Sequence, residues 1–199
     1  MTGARNSSYR FSFTAGALEP AVSALIAQKY LENNDWEETL RQSVAQNLLQ
    51  TRTENSCKRI TGELILRLGT LSREELNNFV DSSQEVQKIW LWIGICRAYR
   101  LIREFAVEVV REHYLSGSSR ALSLVDFDTF CERKSIADDS IAKLSKSTYT
   151  KVRQKTFQLL MEVGLISRKK EVQGMAIDGK TFDAVPVEDQ DCFPVYVKR

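Results

Sequence analysis

Residues 147–170 read Ser-Thr-Tyr-Thr-Lys-Val-Arg-Gln-Lys-Thr-Phe-Gln-Leu-Leu-Met-Glu-Val-Gly-Leu-Ile-Ser-Arg-Lys-Lys. Val152, Leu159, Leu160 and Val163 recur at helical spacing, with Thr156 on the same face. Ser147 or Thr148 supplies a hydroxyl that can cap orphan N–H groups at the start. Gly164 suits the left-handed turn that ends a helix, and Leu165 and Ile166 return the chain to the core. Lys151, Arg153 and Lys155 sit in the first turns, where cations oppose the helix dipole and so favour an outside anionic partner. Arg168, Lys169 and Lys170 follow. The stretch carries these six cations against one acid, Glu162, while the whole chain is only +2.

Outward from this helix, the chain has 199 residues, 43% hydrophobic and 27% charged, which suits a soluble protein with its own core. Four scattered cysteines (Cys57, Cys96, Cys131 and Cys192) read as reduced thiols of a cytoplasmic protein. One histidine, His113, leaves no multi-histidine metal or catalytic site, and no cofactor is expected. Residues 1–16 lack a signal-peptide core, and residues 1–8 read as loose. The apolar run Ile89-Trp-Leu-Trp-Ile-Gly-Ile-Cys96 falls far short of the roughly 20 residues a membrane span needs, so it reads as a central bundle helix.

Tyr9, Phe11 and Phe13 alternate with polar residues, as in a short strand or packed arm. Helices are expected over 18–32, 36–49 behind Asp35, 54–68, and 73–80 behind the capping box Ser72-Arg-Glu-Glu75. Lys58, Arg59 and Arg67 are placed off the buried face of the third. The longest helix is expected over 84–115, with Arg97, Arg100, Arg103 and Arg111 balanced by Glu104, Glu108 and Glu112 on neighbouring turns. Ser116-Gly-Ser-Ser119 reads as a linker, dividing an N-terminal bundle (1–115) from a C-terminal module (116–199). Short helices are expected over 126–134 and 136–144. Residues 171–199 run acidic and suggest two or three short strands, with Asp178-Gly179 as a hairpin turn.

Helix, glycine, apolar pair, basic loop, hairpin is the order of a winged helix-turn-helix. Thr148, Thr150, Lys151, Gln154, Lys155 and Gln158 are the small, polar or basic residues a major-groove helix exposes. Candidate phosphate contacts are Arg52, Lys58, Arg59, Lys151, Arg153, Lys155, Arg168, Lys169 and Lys170. Arg153 neighbours Val152 and could instead be a structural partner for an acid. The bland alternative is a solvated amphipathic helix. Trp36, Trp90 and Trp92 have Leu and Ile neighbours and read as core. No phosphate loop, nucleophile elbow or dinucleotide turn is present, so an enzyme is not expected.

Several stretches in order resemble one family: Tyr9-Arg-Phe-Ser-Phe-Thr-Ala-Gly16; Asp35-Trp36; Asn47-Leu-Leu-Gln-Thr-Arg-Thr53 with Ser56; Lys58-Arg-Ile60; Glu63-Leu64 with Arg67-Leu68; Glu104-Phe-Ala-Val-Glu-Val-Val-Arg111; Asp126-Phe-Asp128; and Ser147-Thr148 with Lys151, Arg153-Gln154 and Gly164-Leu-Ile166. Together they resemble the BrxA family, small proteins of BREX bacteriophage-defence systems. The resemblance implies a helical core similar to the NusB antitermination factor, double-stranded DNA as partner, and a role beside other BREX defence proteins. The expected fold is therefore mainly α: a NusB-like helical bundle with a C-terminal winged-helix-like module and a short β-hairpin. An RNA-binding antitermination-like factor and a protein-interaction scaffold are the other function classes.

Overall fold

Helix α5 (Gln84–Ala98) is the axis of the computed structural model, which describes residues 8–117, 121–194 and 196–198. Every residue from 89 to 96 is buried. A helix apolar on all sides must be surrounded, and α1 (Pro20–Asn33), α3 (Glu54–Leu68), α4 (Arg73–Val80) and α9 (Lys146–Val163) pack round it. No helix among the described residues is long and apolar enough to cross a membrane. Gly94 sets the α3–α5 approach: a Cβ there would lie 2.8 Å from the Arg67 carbonyl oxygen.

The expected 84–115 helix is broken. Tyr99 is extended (φ −129°, ψ 95°) between α5 and α6 (Arg100–Phe105). Its buried ring meets Phe13 edge-on at 5.2 Å, and its hydroxyl donates to Glu63. A π-helical segment (Ala106–Arg111) and α7 (Glu112–Leu115) follow. A break of one residue barely disturbs helical periodicity, so the pattern could not reveal it.

Local capping signals are realised where side chain and backbone meet within one turn. Ser72 and Glu75 form the capping box of α4, Asp35 accepts from the Glu37 and Glu38 N–H groups ahead of α2 (Trp36–Ala45), and Thr53 caps α3. Helix α2 ends four residues short of expectation because Asn47 (φ 44°) turns the chain and its side chain binds the Thr51 N–H and carbonyl. The α8 helix (Leu124–Ser135) begins with a Ser123–Asp126 box. The helix expected over 136–144 is replaced by turns. Asp138 there accepts from the Tyr9 and Ser140 N–H groups and pairs with Arg100, competing with helical bonding. Phe105 meets Phe127 and Phe130 of α8 edge-on at 5.1 and 5.3 Å, so helices on either side of residues 116–119 share core side chains.

The hairpin at Asp178-Gly179 is not formed. Asp178 instead caps α10 (Gly179–Ala184), accepting from the Thr181 N–H, because Asp-Gly serves equally well at a helix start. Strand β1 (Met175–Ile177) pairs with β2 (Tyr196–Lys198) in parallel, Met175 opposite Tyr196. Among the described residues the sheet is this parallel pair, not the expected hairpin of a wing. An isolated antiparallel bridge, Ile166–Val172, closes the basic loop after α9. The expected arm is present: Tyr9 and Phe13 are buried, and residues 12–14 form a 3-10 turn rather than a strand. Residues 1–7 of the expected loose start, Ser118 and Ser119 of the linker, and Val195 lie outside the described residues.

Candidate nucleic-acid interface

Helix α9 begins two or three residues earlier than expected because Ser145, not Ser147 or Thr148, accepts the Thr148 N–H. It ends at Gly164 in the left-handed conformation (φ 92°). Val152, Thr156, Phe157, Leu159, Leu160 and Val163 are buried; Ser147, Lys151 and Gln154 are exposed on the other side. The Thr156 hydroxyl is satisfied on that buried face, donating to the Val152 carbonyl at 2.9 Å.

The nine candidate cations fall into distinct environments. Lys151, Arg168 and Lys169 are exposed and make no ion pair among the described residues. Arg168 and Lys169 sit at the tip of a loop organised by Ser167, whose N–H donates to the Glu171 carbonyl and whose own carbonyl accepts the Lys170 N–H at 2.8 Å. Lys155 is half-buried and donates to Gln158 at 2.9 Å; Gln158 in turn donates to Glu162, which accepts the Leu18 N–H. Burial holds the Lys155 ammonium below the ordinary lysine value against the pull of Glu162, with Arg67 and Lys151 pushing it further down. Lys170 (φ 63°) has its ammonium 5.5 Å from the Phe157 ring centre. Arg153 is a structural residue. It binds Asp128 at 2.6 Å, and Asp128 also accepts the Tyr149 hydroxyl at 2.7 Å, fastening α9 to α8. Burial, together with that bond to Asp128, raises the Tyr149 pKa.

Arg52 and Lys58 face away from α9. Arg52 and Lys58 line a cavity of about 800 Å³ between α2 and α3, together with Glu37 and Glu54; α9 contributes nothing to its wall. Arg59 is exposed on α3. Arg67, placed outward by the sequence pattern, is buried: it donates to the carbonyls of Phe13, Ala15 and Ala17 and pairs with Glu63 at 3.4 Å. Burial lowers its pKa, with Glu63 opposing.

The central arginines are matched with acids, mostly on other elements rather than on neighbouring turns. Arg97 binds Glu75 (2.6 Å) and Asp189 (2.7 Å), and Arg103 binds Asp189 (3.3 Å) and Asp191 (2.7 Å). Arg100 binds Asp138 (2.9 Å) and, along its own helix, Glu104 (3.4 Å). The acidic tail thus neutralises the bundle axis. The exposed face of α9 and the tip of its loop keep their charge. Asp128 is a structural acid that the sequence did not single out, since an Asp early in a helix resembles a cap.

Among the described residues no group of His, Cys, Asp or Glu could hold a metal ion. The four thiols are free and buried, and burial pushes Cys131 up to about 12. Trp90 and Trp92 are fully buried, while Trp36 is half-buried and stacks on Tyr30 at 3.7 Å.

Comparison with known proteins supplies the family. A BREX protein BrxA from Bacillus cereus (strain H3081.97) is 26% identical over 133 residues, covering 67% of this chain and 66% of that relative, just under two thirds of its length. A BREX protein BrxA from Escherichia coli O9:H4 (strain HS) is 23% identical over 168 residues, 80% of this chain and 76% of the relative. The crystal structure of an uncharacterized protein from Magnetospirillum magneticum shares the fold, with a TM-score of 0.80 over 94% of this chain and 96% of that one at 23% identity. The BrxA family model matches residues 7–186, and the chain belongs to the BrxA family.

Proposed function

We propose that this chain is a non-catalytic, double-stranded-DNA-binding component of a BREX phage-defence system, working in the cytoplasm beside other BREX proteins. The defence role is carried by its kinship with relatives named BREX protein BrxA. The DNA reading is carried by one observation: Arg97, Arg100, Arg103 and Arg153 are matched with acids, while Lys151, Arg168 and Lys169 stay exposed and unmatched. An exposed cation with no ion partner is available to phosphate, and neutralising it there releases counterions. Helix α9 takes the part of the groove-facing helix, and the bridged loop 166–172 takes the part of the flanking basic contact. Lys155 and Lys170 stand half-buried behind them.

Duplex is favoured over single-stranded RNA because sequence-reading RNA surfaces stack bases on exposed aromatics, and Trp90, Trp92, Phe127 and Phe130 are all buried. The test is competition. Labelled duplex DNA is bound by the full chain and challenged with unlabelled duplex or single-stranded RNA. Displacement by duplex alone is expected. Preferential displacement by RNA would replace this reading with the antitermination-like one.

A further inference from the structure

On α9 almost every uncharged polar side chain is already committed. Ser147 and Thr148 bond the cap hydroxyl of Ser145 at 3.1 and 2.8 Å. The Tyr149 hydroxyl donates to Asp128, and the Thr150 and Thr156 hydroxyls donate to the carbonyls of Lys146 and Val152, both at 2.9 Å. Gln158 accepts from Lys155 and donates to Glu162. Gln154 is different: it is exposed, and among the described residues neither its amide N–H groups nor its carbonyl has a partner. It lies three residues beyond the unmatched Lys151, so the two share one exposed stripe one turn apart. Acids near that stripe are occupied: Asp128 by Tyr149 and Arg153, Glu162 by Leu18 and Gln158.

We propose that Gln154 gives this DNA-binding face a base preference, for adenine read through the major groove. This rests on the reading of α9 as the DNA surface. The chemistry is directional. A carboxamide donates through Nε2 to adenine N7 and accepts through Oε1 from the adenine N6 amino group. At guanine the second position is an acceptor, O6, which would face the Gln154 carbonyl without a hydrogen between them. Lys151 contributes phosphate contact and no base information. Thr150, whose hydroxyl hydrogen goes to the Lys146 carbonyl, keeps acceptor capacity and a methyl group that can meet a neighbouring thymine methyl.

The experiment compares the full chain on a mixed-sequence duplex and on the same duplex with every adenine replaced by 7-deazaadenine, which lacks the N7 acceptor. Fluorescence anisotropy is read at equal salt. The wild-type chain is expected to bind the substituted duplex about tenfold more weakly. Gln154→Ala should bind both duplexes equally, at the weaker level. Lys151→Ala should weaken both while keeping the tenfold ratio. Circular dichroism checks that both variants keep wild-type helicity. Equal wild-type binding to both duplexes, with salt dependence intact, overturns the role of Gln154 and leaves the DNA surface standing. A tenfold ratio that survives Gln154→Ala also overturns it. Absence of any salt-dependent duplex binding removes the DNA surface and this inference together.

Discussion

At the scale of single residues, charge burial separates structural cations from free ones. Arg67 is 1% exposed, ties the N-terminal arm to α3 through three backbone carbonyls, and neutralises the buried Glu63. Arg67→Ala would leave Glu63 without its charge partner, with the Tyr99 hydroxyl as its remaining donor, and those carbonyls without the guanidinium. Denaturant unfolding is expected to show a loss of about 3–5 kcal/mol; a loss under 1 kcal/mol would mean the arm is held by its aromatics alone. Glu75 gives a pH handle. Burial pushes its pKa up, but the bonds from Arg97 and Ser72 outweigh burial and hold it below its ordinary 4.5. A depressed carboxyl contributes stability above pH 4.5 and loses it as pH falls through the lower folded value. Acid unfolding monitored by circular dichroism should therefore be less steep below pH 4.5 in Glu75→Gln than in the wild type. Ser72 and Glu75 were legible in the sequence because their bonds close within one turn. Arg67 was not, because its burial is set by carbonyls some fifty residues away.

At the scale of elements, the sequence placed α3 at its observed bounds and α9 within one turn, since periodicity and caps agree there. It failed where tertiary contacts compete with local preference: at Tyr99, whose ring and hydroxyl are claimed by Phe13 and Glu63, and over 136–144, where Asp138 is claimed by Tyr9 and Arg100. Two substitutions probe the elements themselves. Ser145→Ala removes the α9 cap and should cost about 1 kcal/mol in thermal or denaturant unfolding. Gly94→Ala puts a methyl against the Arg67 carbonyl, which is backbone and cannot swing aside, so α5 must move from α3. A cost of about 1–3 kcal/mol is expected. An unchanged midpoint for Gly94→Ala would show that the two helices have slack.

At the scale of the whole molecule, the helical class and the N-terminal order of helices followed from apolar spacing. The C-terminal pairing did not. A parallel β1–β2 pair joins residues some twenty positions apart through α10, and turn signals such as Asp178-Gly179 report only local geometry. The candidate interface was half legible. Basic residues could be counted, but matching Arg153 to Asp128 and separating Arg52 and Lys58 from α9 required the folded chain. What emerges is a division of charge: the interior arginines are matched with acids from α3, α4, α6, α8, the 136–144 turns and the C-terminal tail, and Lys151, Arg168 and Lys169 are left exposed without an ion partner among the described residues.

That division is tested most directly by duplex-DNA affinity of the wild-type chain and of Lys151→Glu/Arg168→Glu/Lys169→Glu, each measured across 50–200 mM salt. Each lost phosphate contact removes about 0.9 from the slope of log affinity against log salt. The account predicts weaker binding and a slope shallower by about 2–3 in the variant, with unfolding unchanged. Wild-type affinity and slope in that variant would contradict it and move the DNA surface away from α9.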